Sequence, residues 1–186
     1  MRCLLLLSAI TFDCLELIPE NHILETAAPM RSIRLIWIGK SQEPFVQDGI
    51  KVYLKKLSHY IKVDFEEIKP VKYNSGTTDQ WRRQETEKLL KRLDSTELNI
   101  FLDESGKRET SNSLARWFEK QIPLGWRRVN FFIGGAYGFD KTMLPSGVKL
   151  LRLSDMTFTH QMVRLILLEQ LYRAFTIMRG EPYHHD

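Results

Sequence analysis

The C-terminal stretch, residues 151–186, is the feature that most constrains how this chain can fold. Its central part is apolar on almost every face of a helix drawn at about 3.6 residues per turn. The apolar positions are Met162, Val163, Leu165, Ile166, Leu167, Leu168, Leu171, Tyr172, Phe175, Ile177 and Met178. Such a helix is predicted to be buried, either inside its own domain or against a second copy of the chain. Oxygens of Ser154, Asp155 and Thr157 are expected to cap its start, and Gly180 to end it.

The same helix carries charged residues that its burial makes unusual. Arg164 and Arg173 are nine positions apart, so they lie about half a turn from each other around the helix. They are therefore expected to serve different surfaces. For Arg164, a dimer contact or a structural ion pair is as good an interpretation as contact with a substrate. Tyr183 and His184 follow the end of the helix, and helix-stop chemistry does not explain them.

Short apolar runs alternate with helical patterns through the rest of the chain. Strands are predicted at residues 32–39, 62–69, 98–102, 127–133 and 148–153. Helices are predicted at 44–57, after an Asp79 cap, after a cap at Ser111 or Ser113, and over 140–144. Residues 103–111, DESGKRETS, are interpreted as a polar turn. This order predicts a parallel α/β sheet with flanking helices, whose ligands bind at the carboxyl ends of the strands.

Composition and charge narrow the class of protein. Lys and Arg number 27 against 23 Asp and Glu, which permits a nucleic-acid partner without requiring one. Cys3 and Cys14 both lie in the leading segment, so no disulfide framework or metal site is expected in the core. No apolar run approaches the roughly 20 residues that span a bilayer, so no membrane contact is expected. Residues 1–30 are interpreted as an N-terminal extension, in preference to a secretory signal or lipid anchor, and residues 31–186 as one folded domain.

Glycines follow the fourth predicted strand in the segment GGAYG, residues 134–138. Glycine after a buried strand lets a ligand approach the backbone or lets the chain adopt a positive φ. The spacing is not that of a dinucleotide fingerprint, GxGxxG. Taken alone, the segment is more simply a structural turn.

Two segments carry a resemblance to a known family: MTFTHQMVRLILLEQLYRAFTIMRGEPYHH at the C-terminus and VNFFIGGAYGFD upstream of it. From about Ile33 onward the chain resembles the SPOUT methyltransferases, in particular the group that methylates N3 of a pseudouridine in large-subunit ribosomal RNA. The resemblance implies an α/β fold with a C-terminal trefoil knot, a rare exception to unknotted connections. It also implies an S-adenosylmethionine-dependent, cytoplasmic homodimer that acts on 23S ribosomal RNA in the assembled ribosome.

The resemblance implies a cofactor site in the turns at three strand ends. Its residues are Leu102, Gly134, Leu153, Ser154, Asp155, Met156, Thr157 and Phe158. Backbone groups there would read the adenine edge, and apolar side chains would sandwich the ring. Methylation at a uracil-type N3 also requires removal of the imino proton, for which Tyr183 and His184 are the candidates. Arg173 is the candidate that stabilises the anionic carbonyl edge or holds a phosphate.

Two other classes of function stay open at this level. A flavodoxin-like nucleotide- or phosphate-binding protein would use the same strand-end loops, although no Walker spacing supports it. A non-catalytic ribosome-binding module would need only basic surface residues, such as Arg82, Arg83 and Lys88, which are by default a solvated surface. Retained affinity for the methyl donor separates an enzyme from such a module.

Overall fold

The computed structural model describes residues 30–74 and 76–183. The strands are β1 (Ser32–Ile38), β2 (Lys62–Ile68), β3 (Leu98–Arg108), β4 (Arg128–Ile133) and β5 (Lys149–Arg152). The α-helices are α1 (Pro44–Leu57), α2 (Thr78–Leu90), α3 (Ser111–Gln121) and α4 (His160–Met178). Short 3₁₀ helices occupy Ile122–Leu124 and Lys141–Met143. Apart from Met30, the N-terminal extension inferred from the sequence lies outside the described residues.

The five strands form one parallel sheet in the order β2-β1-β4-β3-β5. The sequence prediction of a parallel α/β sheet with flanking helices is therefore confirmed. Parallel strands of this kind are buried on both faces, which explains why β1 and β4 are almost continuously apolar.

Side chains that alternate along β1 separate two apolar cores. Leu35 and Trp37 point to the larger core, which α1, α3 and α4 cover. Ile36 and Ile38 point to a smaller core on the opposite face, which Leu89 of α2 covers. The molecule is thus a three-layer arrangement of helices, sheet and helix.

Helix α4 packs between α1 and α3 on the larger core. Its Leu167, Leu168, Leu171 and Ala174 are fully buried, and none of its 19 residues is classed as exposed. The prediction of a buried helix is confirmed. Many of its apolar side chains are only half-buried in the single chain.

Arg164 is the charged residue at the centre of this packing, and its side chain is fully buried. Its guanidinium donates to the Ile38 carbonyl oxygen at 2.7 Å and to the Ser41 hydroxyl at 2.8 Å. It also lies 5.1 Å from the centre of the Trp37 ring. Burial lowers the pKa of Arg164 to about 10, although the negative charge of Glu67 acts to raise it. The guanidinium therefore remains a cation at neutral pH. Arg164 therefore ties α4 to the end of β1 and the loop that follows.

The structure corrects several local predictions about helix starts. The residues that cap α2, α3 and α4 are Thr77, Thr110 and Thr159, each accepting a hydrogen bond from a backbone amide. Asp79, Ser111 and Ser113 fall inside the helices they were expected to precede, and Ser154, Asp155 and Thr157 lie too early in the chain. Threonine is a good N-cap because its hydroxyl satisfies an amide that has no helical partner.

The predicted polar turn after the third strand is also wrong in part. Strand β3 resumes pairing with β5 at Lys107 and Arg108, after a register shift between Leu102 and Lys107. A side chain at Gly106 would lie 2.6 Å from the backbone of Leu150. Only glycine permits this close approach of the two backbones. The polar composition of residues 103–111 gave no sign that β3 continues to pair with β5.

Among the described residues, the structure contains no helix that is both long and apolar enough to cross a membrane.

Replacing Arg164 tests whether this buried cation stabilises the packing of α4 against the sheet. Arg164→Ala leaves the Ile38 carbonyl and Ser41 hydroxyl without their donor and opens a cavity, so the free energy of unfolding should fall by about 3 kcal/mol. Urea unfolding followed by circular dichroism measures the loss. The matched control is Arg116→Ala on the exposed face of α3, which should change stability by less than about 0.5 kcal/mol. Equal losses in the two variants would contradict the assignment.

Candidate functional site

The carboxyl ends of β3, β4 and β5 meet at one edge of the sheet. Leu102 of β3 is in register with Ile133 of β4 and with Leu151 of β5. The segments that follow these residues must therefore leave the sheet side by side. Such an edge is where open α/β sheets bind ligands.

These segments enclose a cleft of about 740 Å³. It is lined by Leu102 and by every residue of the segment 153–158, which are seven of the eight residues in the cofactor site that the resemblance implies. Leu151, Phe139 and Val163 add apolar walls. Met156 is 72% exposed and Phe158 37% exposed, so apolar side chains stand uncovered at the rim. The volume lies within the range of about 300–1,000 Å³ that is typical of small-molecule sites.

Gly134, the eighth residue, is buried beneath the cleft wall. A side chain there would lie 3.0 Å from the backbone of Gly138, which does line the cleft. Gly138 itself has a φ of +70°, a conformation that favours glycine. A side chain at Gly135 would clash with the Glu85 carboxylate. The glycine segment is therefore a tight turn that also forms the floor of the cleft.

Asp103 supplies the buried charge of the cleft, and its side chain is only 9% exposed. It accepts from the Lys141 ammonium at 2.8 Å and from the Ser105 amide at 2.8 Å. Burial alone would raise the pKa of Asp103, but the hydrogen bonds from Lys141 and Ser105 outweigh it and hold the pKa below its usual value. The carboxylate is therefore ionised at neutral pH and joins β3 to the turn after β4.

The segment 153–158 is fixed at its start by polar contacts. The Ser154 hydroxyl accepts from the Met156 amide at 2.9 Å. Asp155 pairs with Arg108 at 2.8 Å and with Arg152 at 3.2 Å. Asp155 is thus engaged with arginines at the rim, while the backbone of its segment borders the cleft.

A second cluster forms at the other end of α4, around the candidate reaction residues. The Arg173 guanidinium donates to Glu169 at 2.6 Å and lies 4.9 Å from the centre of the Tyr183 ring. The Tyr183 ring contacts Tyr172 edge-on at 4.7 Å. Burial, followed by a hydrogen bond with Tyr53, raises the pKa of Tyr183. The tail is therefore docked against α1 and α4 up to this residue.

The structure brings Arg173 and Tyr183 together but does not bring them to the cleft of the same chain. Val163 lines the cleft, and Arg173 is ten residues further along the helix, a distance of about 15 Å along its axis. His184 directly follows Tyr183 in the sequence and lies outside the described residues. In one chain, the implied cofactor site and the implied reaction residues are thus two separate clusters.

Two of the residues that line the cleft were not predicted from the sequence. Lys141 and Tyr137 both line the cleft, yet each lies in a segment interpreted only as a turn or short helix. Tyr137 sits inside the glycine segment, where an exposed aromatic was the available signal. Lys141 carried no comparable signal, because its pairing with Asp103 depends on the sheet register.

No group of three or more His, Cys, Asp or Glu side chains within residues 30–74 and 76–183 is arranged to hold a metal ion.

Comparison with known proteins agrees with this architecture. Residues 30–184 match the family model described as "Predicted SPOUT methyltransferase". Among curated relatives, the ribosomal RNA large subunit methyltransferase H of Geotalea daltonii is 42% identical over 153 residues, covering 82% of this chain and 99% of that protein. The protein of the same name from Christiangramia forsetii is 41% identical, covering 83% and 99%. That of Acetivibrio thermocellus is 43% identical, covering 82% and 98%.

The chain therefore belongs to the SPOUT methyltransferase family. The family implies a methyl-donor cofactor and the C-terminal trefoil knot expected from the sequence.

The pH dependence of stability tests the role of Asp103. Because its pKa is lowered in the folded state, its stabilisation is present above the unfolded pKa of about 3.9 and is lost as the pH falls through the lower folded value. Asp103→Asn should reduce the free energy of unfolding by about 1–2 kcal/mol at neutral pH. The difference from wild type should shrink below about pH 4 in urea titrations.

Asp48→Asn is the matched control, because Asp48 is 71% exposed in its pair with Lys51. Exposed pairs of this kind contribute little. A gap between wild type and Asp103→Asn that stayed constant with pH would contradict the ionised pair.

Proposed function

We propose that this chain is an S-adenosylmethionine-dependent methyltransferase that methylates N3 of a pseudouridine in 23S ribosomal RNA of the large subunit. The observation that carries the proposal is the cleft at the ends of β3, β4 and β5, which every residue of the segment 153–158 lines. It occurs in a chain that belongs to a methyltransferase family and matches rRNA methyltransferases over nearly their full length. The proposed catalytic domain is residues 31–186, with a cytoplasmic location.

The cleft suits S-adenosylmethionine in size and in chemistry. Leu102, Leu153 and Phe158 offer apolar surfaces for an adenine ring, and the turns around them offer backbone amides and carbonyls for its edge. When bound, the cofactor supplies a methyl group that is already activated for transfer, so the protein has mainly to position the acceptor.

The C-terminal cluster is assigned to the acceptor base. N3 of a uracil-type base must lose its proton as it attacks, so a proton acceptor is needed. Since the pKa of Tyr183 is raised by burial and by Tyr53, its phenol stays protonated at neutral pH. We therefore assign the proton to His184 and a hydrogen-bond donor role to Tyr183. Arg173, held by Glu169, places a cation beside the carbonyl edge that becomes negative.

A homodimer reconciles the two separate clusters. Arg173 and Tyr183 of one protomer would meet the cleft of its partner, so that each active site uses both chains. The half-buried apolar residues of α4, such as Leu165 and Ile166, support this arrangement. So do Phe45 at 59% and Val52 at 51% exposure on α1, which packs beside α4. Apolar side chains left in water on neighbouring helices favour a second protein surface.

Methyl transfer from labelled S-adenosylmethionine to intact ribosomes and to naked ribosomal RNA tests the function. Wild type should label large-subunit RNA, preferably within the ribosome, because the substrate is expected to be recognised by shape. Arg173→Ala should reduce kcat by about 100-fold while cofactor affinity, measured by calorimetry, is retained. Arg116→Ala is the matched control and should behave as wild type. Cofactor binding without any label on either substrate would favour a ribosome-binding module.

Mixing two inactive variants tests the shared site within the same assay. Ser154→Trp fills the cleft, and Arg173→Ala removes the cation. Neither homodimer should be active, but heterodimers formed on co-expression contain one cleft and one Arg173 that are both intact. If the site is shared, about a quarter of wild-type activity returns, because half of the random dimers have one working site of two. No recovery in verified heterodimers would place the whole site in one chain.

A further inference from the structure

Three aromatic side chains form a cluster of their own beside the cleft. Tyr73 follows β2, Trp81 lies in α2, and Tyr137 lies in the glycine segment. Ring centres are 5.3 Å apart for Tyr73 and Trp81, 5.6 Å for Tyr73 and Tyr137, and 5.6 Å for Trp81 and Tyr137. The three rings, here named the aromatic patch, belong to neither apolar core. Their packing therefore requires an explanation other than folding of the sheet.

The aromatic patch is exposed but held in place. Tyr73 is 41% exposed and Tyr137 is 40% exposed. The Tyr73 hydroxyl donates at 2.6 Å to Glu85, whose side chain is fully buried. Arg82 Nε donates at 3.1 Å to the Tyr137 carbonyl oxygen. The Tyr73 ring thus stays partly in water while its hydroxyl is fixed, and the backbone of Tyr137 is held by Arg82. Rings held in this way lose little further conformational freedom when a ligand covers them.

The patch adjoins the cleft directly. Tyr137, a member of the patch, lines the cleft. Arg82, which donates a hydrogen bond to Tyr137, lines the cleft as well. Trp81 lies in the first turn of α2, which begins at the same edge of the sheet as the cleft, since it follows β2. A polymer that brings one of its units to the cleft would therefore place a neighbouring unit on the patch.

The surroundings of the patch are basic. Lys69, Lys72, Arg83 and Lys88 lie on the loop before α2 or on α2 itself, together with Arg82. The acidic residues in the same segments that are exposed are Asp79 and Glu87. Aromatic faces beside basic side chains match single-stranded nucleic acid, whose bases stack while its phosphates attract cations.

We propose that Tyr73, Trp81 and Tyr137 form a stacking platform for an unpaired base of the RNA substrate next to the base that enters the cleft. This inference rests on the proposed function for its substrate. Arg82 and Arg83 hold the adjoining phosphates. The platform orients the strand, so it acts in substrate binding and not in the reaction step.

The test separates RNA binding from cofactor binding and from the reaction. Trp81→Leu and Tyr137→Leu should each raise KM for intact large ribosomal subunits by about ten-fold, because one stacked base is lost. Trp81→Leu should leave kcat and S-adenosylmethionine affinity unchanged, because Trp81 is not among the residues that line the cleft. Trp81→Phe and Tyr137→Phe keep a ring and should stay within about two-fold of wild type. Phe65→Leu is the control, since Phe65 is 47% exposed on the edge strand β2.

Two further measurements do not depend on methyl transfer, and the second does not use a ring variant. Binding of an oligouridylate of about twelve nucleotides, followed by fluorescence anisotropy, should weaken in both leucine variants. Arg83→Gln, an exposed change, should weaken it as well and should make the salt dependence shallower by about one phosphate contact.

Each possible result of these measurements either supports or overturns the stacking platform. Loss of cofactor affinity in Trp81→Leu would overturn it, because that ring would then serve the cofactor. A raised KM for ribosomal subunits with unchanged oligouridylate binding would also overturn it, in favour of a protein surface on the particle. Unchanged KM in both leucine variants, with active wild type, would refute the platform and leave the proposed function intact. Weakened oligouridylate binding in a protein that transfers no methyl group would support the platform while the proposed function fails.

Discussion

The packing of α4 against the sheet positions residues of both functional clusters. The start of this helix supplies a wall of the cleft through Val163, and its far end carries Arg173. Between them, the buried guanidinium of Arg164 is fixed by Ile38 and Ser41. A buried cation is costly unless it is hydrogen-bonded, and the two terminal nitrogens of this guanidinium have such partners, whereas its Nε has none among the described residues. The same contacts therefore fix the rotation of α4 and the positions of both clusters.

Charged side chains form different pairs at the two ends of α4. Around the cleft, Asp103 and Lys141 form an internal pair, and Asp155 is engaged by arginines at the rim. At the other end, Arg173 stands beside the Tyr183 ring with Glu169 as its carboxylate partner. The cleft and the pair of Arg173 and Tyr183 lie at opposite ends of α4 in the described residues. In the proposed function, a homodimer therefore brings the two clusters together in one reaction.

Most of the sheet was predictable from the sequence because it depends on local patterns. Apolar runs predicted β1, β2, β4 and β5 to within one residue at each end. The segment 153–158 lines the cleft, and its role in binding a cofactor stays a prediction. The continuation of β3 through Arg108 escaped prediction, because its polar residues pair with β5 only through tertiary register. The caps at Thr77 and Thr159 were displaced by one or more residues from the predicted ones, since several hydroxyls and carboxylates competed nearby.

Other features depend on packing that no local pattern records. The environment of Arg164 combines a carbonyl, a hydroxyl and an indole ring from β1 and the loop after it. The aromatic patch joins three distant segments of the chain. The structure places Trp81 beside Tyr73 and Tyr137, outside both cores.

Identification of the modified nucleotide tests the central claim most directly. Intact ribosomes from cells that lack this chain would be treated with the purified protein and S-adenosylmethionine, and their large-subunit RNA would then be digested to nucleosides and analysed by mass spectrometry. We expect a new methylated nucleoside that co-elutes with N3-methylpseudouridine and is absent without the protein. A methyl group on a ribose hydroxyl, on another base, or on no nucleoside at all would contradict the proposed function.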